Sequence, residues 1–308
     1  SFTGIARIFS ACAQATSCVT TSSCCSSLAD DKVQMTSLDL DAIRDAVGEV
    51  TAAGLAGIEL FPEIESTNSY LMQQDCPSPG GTRVAITDNQ TMGRGRHGRT
   101  WQSPPGSGLC LSMAYTFSAK PAGLAALTLA IGLGAIEALE RSGVNGVQLK
   151  WPNDLIASDG KLGGILTESR MQPDGAITIV TGIGLNVDLE ADLDFGTETD
   201  RARRVADIAR IADSVPNRND LAARLIDALY ASFADFEADG FSRYAEKWRD
   251  RDWLLGRTLT IDTAQRQITG TGAGIADDGA LLVDTGSGVV RRITSGSVVM
   301  AGDPEGDA

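Results

Sequence analysis

Gly93-Arg94-Gly95-Arg96-His97-Gly98-Arg99-Thr100-Trp101 puts three arginines and three glycines into nine residues of an otherwise acidic chain. Glycines let backbone N–H groups approach an anion closely and permit positive φ. Arginines add bidentate contacts to phosphate or carboxylate. Like charges repel, so the segment is expected to be mobile when empty and to order around an anion. That is a lid for a phosphorylated intermediate. The stretch also fits G-x-G-x-x-G at Gly93, Gly95 and Gly98. A dinucleotide fingerprint needs a strand before it and a helix opening at its end. Here Pro104 and Pro105 follow, and no helical pattern begins before Pro121, which argues against a Rossmann site. A kinase reading lacks its lysine strand, catalytic loop and D-F-G.

Downstream, Lys150-Trp151-Pro152-Asn153-Asp154 ends a strand and turns at the proline. Asn153 and Asp154 are then displayed at a strand end, where α/β sites collect polar groups. Lys161-Leu162-Gly163-Gly164-Ile165-Leu166 follows Ser158-Asp159-Gly160, a tight-turn signal. A hairpin there folds Lys161 back beside Asp154, where it can stabilise charge on a transferring phosphoryl group. Gly163 and Gly164 leave room for a ligand against the backbone. Gly182-Ile183-Gly184-Leu185-Asn186 ends another strand with small residues and an amide. The single histidine, His97, lies inside the arginine loop, so His-ligated metal clusters and a Ser-His-Asp triad have little support.

Around these strings the pattern is mixed. Met35 to about Gly57 reads as one short helix with Ser37 as N-cap and Leu40, Ile43 and Val47 on one face. Ser66 or Thr67 caps a helix carrying Tyr70 and Leu71. Val84–Thr87 is a short strand. Leu109–Phe117 alternates large and small residues, as a half-buried strand does. Pro121 opens an Ala/Leu helix to about Glu140, closed by Gly143. Val147–Lys150 and Ile177–Gly182 are strands, and Asn219–Phe236 is an amphipathic helix. Residues 188–200 hold six acids and no base, a solvated loop. From about Leu254, five short β runs separated by Asp278-Gly279 and Gly286-Ser287-Gly288 make a small antiparallel barrel. The expected division is 1–34 as a disordered extension or non-native leader, 35–252 as the main domain, 253–302 as the barrel and 303–308 as an acidic tail.

The 308 residues carry a net charge of −14, a poor match for nucleic acid or anionic membranes. Four of the six cysteines (Cys12, Cys18, Cys24 and Cys25) precede residue 26, and their spacing with Cys76 and Cys110 fits no zinc pattern. Free thiols in a reducing cytosol are expected. Ala122–Leu139 is apolar for ~18 residues, the lower limit for a membrane span. It contains Thr128 and Glu137 and reads instead as a buried helix.

Taken together the strings resemble the biotin protein ligases. That family's signature is a Ser-Thr-Asn start, a G-R-G-R-x-G-R-x-W loop, K-W-P-N-D, K-L-x-G-I-L and a G-x-G-x-N strand end. Here they appear in order as Ser66-Thr67-Asn68, Gly93–Trp101, Lys150–Asp154, Lys161–Leu166 and Gly182–Asn186, within about Glu65 to Met300. The resemblance implies an α+β fold. A class II aminoacyl-tRNA-synthetase-like catalytic domain, a mixed sheet with helices, would precede an SH3-like barrel. It implies activation of biotin by ATP with Mg2+ to biotinyl-5′-AMP, then transfer to a lysine of a biotin carboxyl carrier protein or domain of an acyl-CoA carboxylase. It places Ser66, Thr67, Asn68 and Gln90 at biotin, with Gly93, Arg94, Gly163 and Gly164 as the backbone around it. Arg96, Arg99, Trp101, Lys150, Asn153, Asp154 and Asn186 fall on the ATP and adenylate side, with magnesium near Asp154 and no protein cage for it. Lys161 lies at the reacting carboxylate and α-phosphate, and Lys161 and Arg96 are the catalytic assignments.

Some members carry an N-terminal winged helix-turn-helix. About 30 residues between Met35 and Ser66 do not hold one, so a cytoplasmic ligase without nucleic-acid or membrane partners, monomeric or weakly dimeric, is expected. The rivals are a lipoate or octanoyl carrier ligase of the same fold, a biotin-sensing DNA-binding regulator, and a binding protein without catalysis.

Overall fold

The computed structural model describes residues 37–189, 205–263, 265–286 and 288–300. The expectations for 1–34, for the acidic stretch from 190 to 200 and for the 303–308 tail lie outside the described residues. Seven strands form the main sheet in the order β1-β2-β3-β7-β6-β5-β4. These are β1 (Leu55–Leu60), β2 (Thr82–Thr87), β3 (Gly108–Phe117), β4 (Gln148–Lys150), β5 (Asp154–Ala157), β6 (Gly160–Met171) and β7 (Ile177–Asn186). Only β1 and β2 pair in parallel; the remaining pairs are antiparallel, so the sheet is mixed.

The single helix expected from Met35 to Gly57 is instead α1 (Leu40–Ala46) and α2 (Glu49–Gly54), followed directly by β1. The break falls at Val47-Gly48, both extended. Asp39, not Ser37, caps α1 by accepting from Ala42 N–H. α3 (Thr67–Gln73) is capped by Ser66, as its sequence predicts. α4 (Leu127–Arg141) starts six residues after Pro121 because a 3₁₀ turn at Leu124–Ala126 intervenes. Among the described residues three further helices follow: α5 (Ile208–Ile211), α6 (Arg218–Asp239) and α7 (Ala245–Arg251), of which sequence periodicity predicts only α6.

β3 is the strand that organises the layers. Every one of its residues is buried, not just the large ones as the alternation predicts. Leu109, Leu111, Met113, Tyr115 and Phe117 enter the main core with α4 and α6. Tyr115 stacks on Phe233 of α6 at 4.9 Å. The small face is covered by α3: Ala114 packs with Leu71, Ala85 and Val180. Polar groups on that face are paired rather than hydrated, for example Thr116 Oγ1 with Thr178 Oγ1 at 2.8 Å. A strand buried on both faces needs that pairing, since an unpaired hydroxyl there costs ~1–3 kcal/mol.

A second sheet, order β11-β10-β9-β8-β12, is wholly antiparallel. It comprises β8 (Thr258–Asp262), β9 (Gln267–Ile275), β10 (Leu281–Asp284), β11 (Val290–Ile293) and β12 (Ser297–Met300), close to the five predicted runs. It is the SH3-like C-terminal barrel. Its apolar residues Leu254, Leu259, Leu281 and Val283 join the same core as Leu149 and Trp151. Trp151 Nε1 donates to Gly279 O (3.0 Å) and Trp253 Nε1 to Asp159 Oδ1 (3.2 Å), fixing the barrel against both ends of the β4–β5–β6 hairpins. Among the described residues no helix is long and apolar enough to cross a membrane.

One buried ion pair ties α6 to the sheet. Arg218 Nη1 donates to Asp88 Oδ2 at 2.9 Å and to Gly108 O at 3.2 Å, with the guanidinium almost wholly buried. Truncating one partner of such a pair strands a charge. Arg218→Met is expected to destabilise the fold by about 3 kcal/mol, measured as a lower urea midpoint. A loss below ~1 kcal/mol would show that water already screens Asp88.

Candidate active site

The arginine loop is a pinned hairpin rather than a free solvated segment. Trp101 N–H donates to Gly93 O (2.9 Å) and Gly95 N–H to Arg99 O (2.7 Å). Its tip turns through His97 (φ 57°) and Gly98 (φ 74°), the left-handed conformation that glycine adopts without strain. Gly93 is buried, and a Cβ there would collide with the Trp101 carbonyl.

Three of the loop's side chains reach inward. Arg94 Nη2 pairs with Glu168 of β6 at 2.6 Å, and Arg96 Nη1 donates to Asn153 Oδ1 at 3.3 Å. Burial lowers the Arg96 pKa, Asp154 opposes that shift and Arg99 adds to it. An arginine short of solvent beside a second arginine gains most from an anionic ligand. Trp101 lays its indole over the sheet, where a Cβ on Gly184 would lie 2.5 Å from the ring and one on Gly164 3.6 Å. Arg99, by contrast, points to the barrel, 3.5 Å from Ser297 Oγ.

Below the indole sits the predicted lysine. Ser158 and Asp159 both take positive φ, and the two-residue turn brings Lys161 back onto β5. Lys161 Nζ pairs with Asp154 Oδ1 at 2.7 Å and lies 5.8 Å from the Trp101 ring centre. Asn153 Nδ2 donates to Ile165 O (2.8 Å), which holds the strand-end turn against β6. Asn186 Nδ2 donates to Lys161 O (3.1 Å) and Ala206 O (3.0 Å), so its amide braces the lysine's backbone. Lys150 sits opposite Asp154 in the β4–β5 ladder, with Nζ 5.4 Å over the Trp253 ring. A cavity of about 200 Å³ opens beside Arg96 and Asn153, walled by Trp151 and the barrel residues Asp278 and Gly279.

On the face of the sheet covered by α3, that helix and its cap present Ser66, Thr67 and Asn68, all buried. Thr67 N–H donates to Gln90 Oε1 (2.9 Å), and Thr67 Oγ1 lies 2.7 Å from Ser112 Oγ. Ser112 Oγ donates to Asn68 Oδ1 (2.7 Å), and Asn68 Nδ2 to Glu168 Oε2 (2.9 Å). Ser112 and Glu168 were not predicted. The available signal was the row of small residues on β3 opposite glycines of β7: Cys110 against Gly184 and Ser112 against Gly182. Cys110 is buried and its thiol is pushed up to about 11 by desolvation, which makes it inert beside the cleft. Cys76, the other described cysteine, is also a free thiol.

A lysine and a carboxylate at a strand end, a glycine floor, and a roof of Arg96 and the Trp101 indole are groups suited to binding an anion and stabilising charge on a phosphoryl group. The sequence comparisons narrow this. Residues 60–188 match the model of the biotin/lipoate A/B protein ligase family, and residues 254–300 that of the biotin protein ligase C-terminal domain. The chain is 34% identical over 261 residues to the bifunctional ligase/repressor BirA of Salmonella typhimurium, covering 85% of this chain and 78% of that one. It is 31% identical to the biotin–[acetyl-CoA-carboxylase] ligase of Mycobacterium tuberculosis, over 86% of this chain and 94% of the other. Among solved structures it resembles the Aquifex aeolicus biotin protein ligase in complex with biotin and ATP, at 26% identity and a TM-score of 0.67, covering 80% of this chain and 100% of that one. The chain belongs to the biotin protein ligase family, and it is a biotin ligase.

Proposed function

We propose that this protein joins biotin to AMP and then passes the biotinyl group to one lysine of a biotin carboxyl carrier domain. The observation that carries the reading is Lys161, held 2.7 Å from Asp154 beneath the Trp101 indole and beside Gly164. In the first step a biotin carboxylate oxygen attacks the α-phosphorus of ATP, and pyrophosphate leaves. Negative charge accumulates on the α-phosphoryl oxygens, and the Lys161 ammonium and Arg96 guanidinium stabilise it. In the second step the carrier lysine's amine attacks the mixed-anhydride carbonyl; the C–O bond to phosphate breaks, AMP leaves, and the amine's proton passes to solvent. No covalent enzyme intermediate is needed, so positioning carries the rest of the rate.

The cleft divides by chemistry. The buried Ser66, Thr67, Asn68 and Gln90 suit a neutral polar head group such as the biotin ureido ring. The backbone of Gly93, Arg94 and Gly164 would lie along the remainder of that ligand, whereas the side of Gly163 expected to leave room faces Leu155, Leu185 and the Gly184 carbonyl. Arg96, Trp101, Lys150, Asn153, Asp154 and Asn186 form the nucleotide side; Arg99, turned to Ser297 of the barrel, would have to swing inward to join them. No group of three metal-ligating side chains occurs among the described residues. Mg2+ would arrive with the phosphates of ATP, with Asp154 as the carboxylate beside them.

Biotin-dependent exchange of pyrophosphate into ATP tests the first step, with lipoate as the competing substrate. Exchange with lipoate alone would overturn the reading. ATP-dependent labelling of a carboxylase carrier domain tests the second. Gly184→Ala bears on the roof: its Cβ would lie 2.5 Å from the indole, so Trp101 must lift away. A displacement of ~1 Å at a reacting site costs about 10²-fold in rate, and pyrophosphate exchange should fall by that order. Exchange within twofold of wild type would remove Trp101 from the roof.

A further inference from the structure

The hydrogen bonds behind the proposed biotin end form one directed chain. Glu168 stands at its end as an acceptor, taking Arg94 on Oε1 (2.8 Å) and Oε2 (2.6 Å), and Asn68 Nδ2 on Oε2 (2.9 Å). Asn68 Nδ2 also donates to Leu166 O (3.1 Å), so its amide has a fixed orientation with Oδ1 turned to Ser112. That oxygen carries no hydrogen, so the single Ser112 proton must go to it. The 2.7 Å contact between Thr67 Oγ1 and Ser112 Oγ then requires the Thr67 proton. Thr67 Oγ1 also lies 3.1 Å from Gln90 Oε1, but its one proton is already committed to the shorter contact.

The consequence reaches the ligand. A threonine hydroxyl in isolation can donate or accept. This one has only a lone pair left to offer, so whatever meets it must bring an N–H or O–H. Gln90 Oε1 is occupied by the Thr67 N–H at 2.9 Å. Glu168 meanwhile ion-pairs Arg94, the loop residue directly after the buried Gly93. One carboxylate therefore holds the loop's entry strand and, together with Leu166 O, sets the direction of protons at the end of α3.

We propose that Glu168 is a positioning and specificity-determining residue: through Asn68 and Ser112 it makes Thr67 an obligate acceptor for a ligand N–H, and through Arg94 it holds the arginine loop over that ligand. This rests on the reading of Thr67 as a contact to the ureido ring. A cyclic urea supplies the required N–H; a dithiolane supplies none and leaves the Thr67 lone pair buried without a donor. Discrimination against ligands that cannot donate is strong because the protein's own polar group is left unpaired.

The test uses the full chain with Glu168→Met, which keeps the side chain's length and removes both acceptors, and Ser112→Ala, which leaves the Glu168–Arg94 pair intact. Biotin KM and kcat are measured by pyrophosphate exchange. Substrate preference is measured between biotin and its two carbamate analogues, in each of which one ureido N–H is replaced by oxygen. Wild-type protein should disfavour one carbamate by roughly 10- to 100-fold. Glu168→Met should raise biotin KM by a similar factor with kcat within about threefold. In Ser112→Ala the Thr67 hydroxyl keeps only the longer 3.1 Å contact to Gln90 Oε1, which already takes the Thr67 N–H, so its proton can be shared with a ligand acceptor and the carbamate preference should narrow to a few fold. Should Glu168→Met not fold, the Ser112→Ala preference decides alone. Unchanged KM in Glu168→Met, or an unchanged carbamate preference in Ser112→Ala, would overturn the proposal. Wild-type protein inactive with biotin would overturn the functional reading instead.

Discussion

Lys161→Ala is expected to lower biotin-dependent adenylate formation by roughly 10²–10³ while leaving the fold intact, the range seen when a single charge stabiliser is removed. The fold should survive because the side chain is about one-third exposed and its ion-pair partner Asp154 is itself partly open to solvent. The backbone of residue 161 does the structural work: its carbonyl accepts from Asn186 Nδ2 and from Ala206 N–H, and neither contact needs the side chain. The loss should therefore appear in kcat and not in the unfolding midpoint. Removal of the ammonium also leaves Asp154 facing the incoming phosphates without compensation, which works in the same direction. Lys161→Arg is an informative partner. Its planar guanidinium keeps the charge but not the compact point-charge geometry, so partial recovery is expected. Single-turnover formation of biotinyl-5′-AMP measures the effect, and a wild-type rate in Lys161→Ala would remove the residue from the chemistry.

The parts of this molecule that were legible in its sequence are those fixed by local signals. Ser158-Asp159-Gly160 announces a two-residue turn, and the turn delivers Lys161 to Asp154. Asp278-Gly279 and Gly286-Ser287-Gly288 punctuate the C-terminal strands closely enough that their ranges could be read to within a residue or so. The parts that were not legible depend on partners distant in sequence. β1 reads Leu-Ala-Gly-Ile-Glu-Leu, with little β-propensity, and is a strand because it pairs in parallel with β2. The small face of β3 looked solvated because Cys110, Ser112 and Thr116 are small or polar; it is buried because α3 covers it and cross-strand hydroxyls pair there. The same limit governs the site. The charged strings declare their chemistry residue by residue. The chain Glu168–Asn68–Ser112–Thr67 exists only once the register sets Ser112 against Gly182 and Glu168 against Val180.

Arg96→Gly is expected to weaken retention of the adenylate, in addition to removing the guanidinium's share of charge stabilisation during its formation. Arg96 occupies a middle position in the loop: Arg94 before it is anchored on Glu168, and Trp101 after it is anchored on Gly93 O, so deleting the Arg96 side chain leaves both ends of the lid attached. What disappears is the one arginine contact from the loop to the strand-end turn, Arg96 to Asn153, together with a guanidinium that flanks the cavity beside it. Glycine at this position also loosens a tip already turned through His97 and Gly98, and a flexible residue has more entropy to lose on closing. Biotinyl-5′-AMP should then escape into solution faster by ten- to a hundredfold, the equivalent of one charge-assisted hydrogen bond worth about 1.5–3 kcal/mol. Release is measured directly by filtration of the preformed complex. Its chemical readout is labelling of exposed lysines on bystander proteins, because a mixed anhydride free in solution reacts with any accessible amine. Retention equal to wild type would mean that Trp101 and Arg94 hold the intermediate without Arg96.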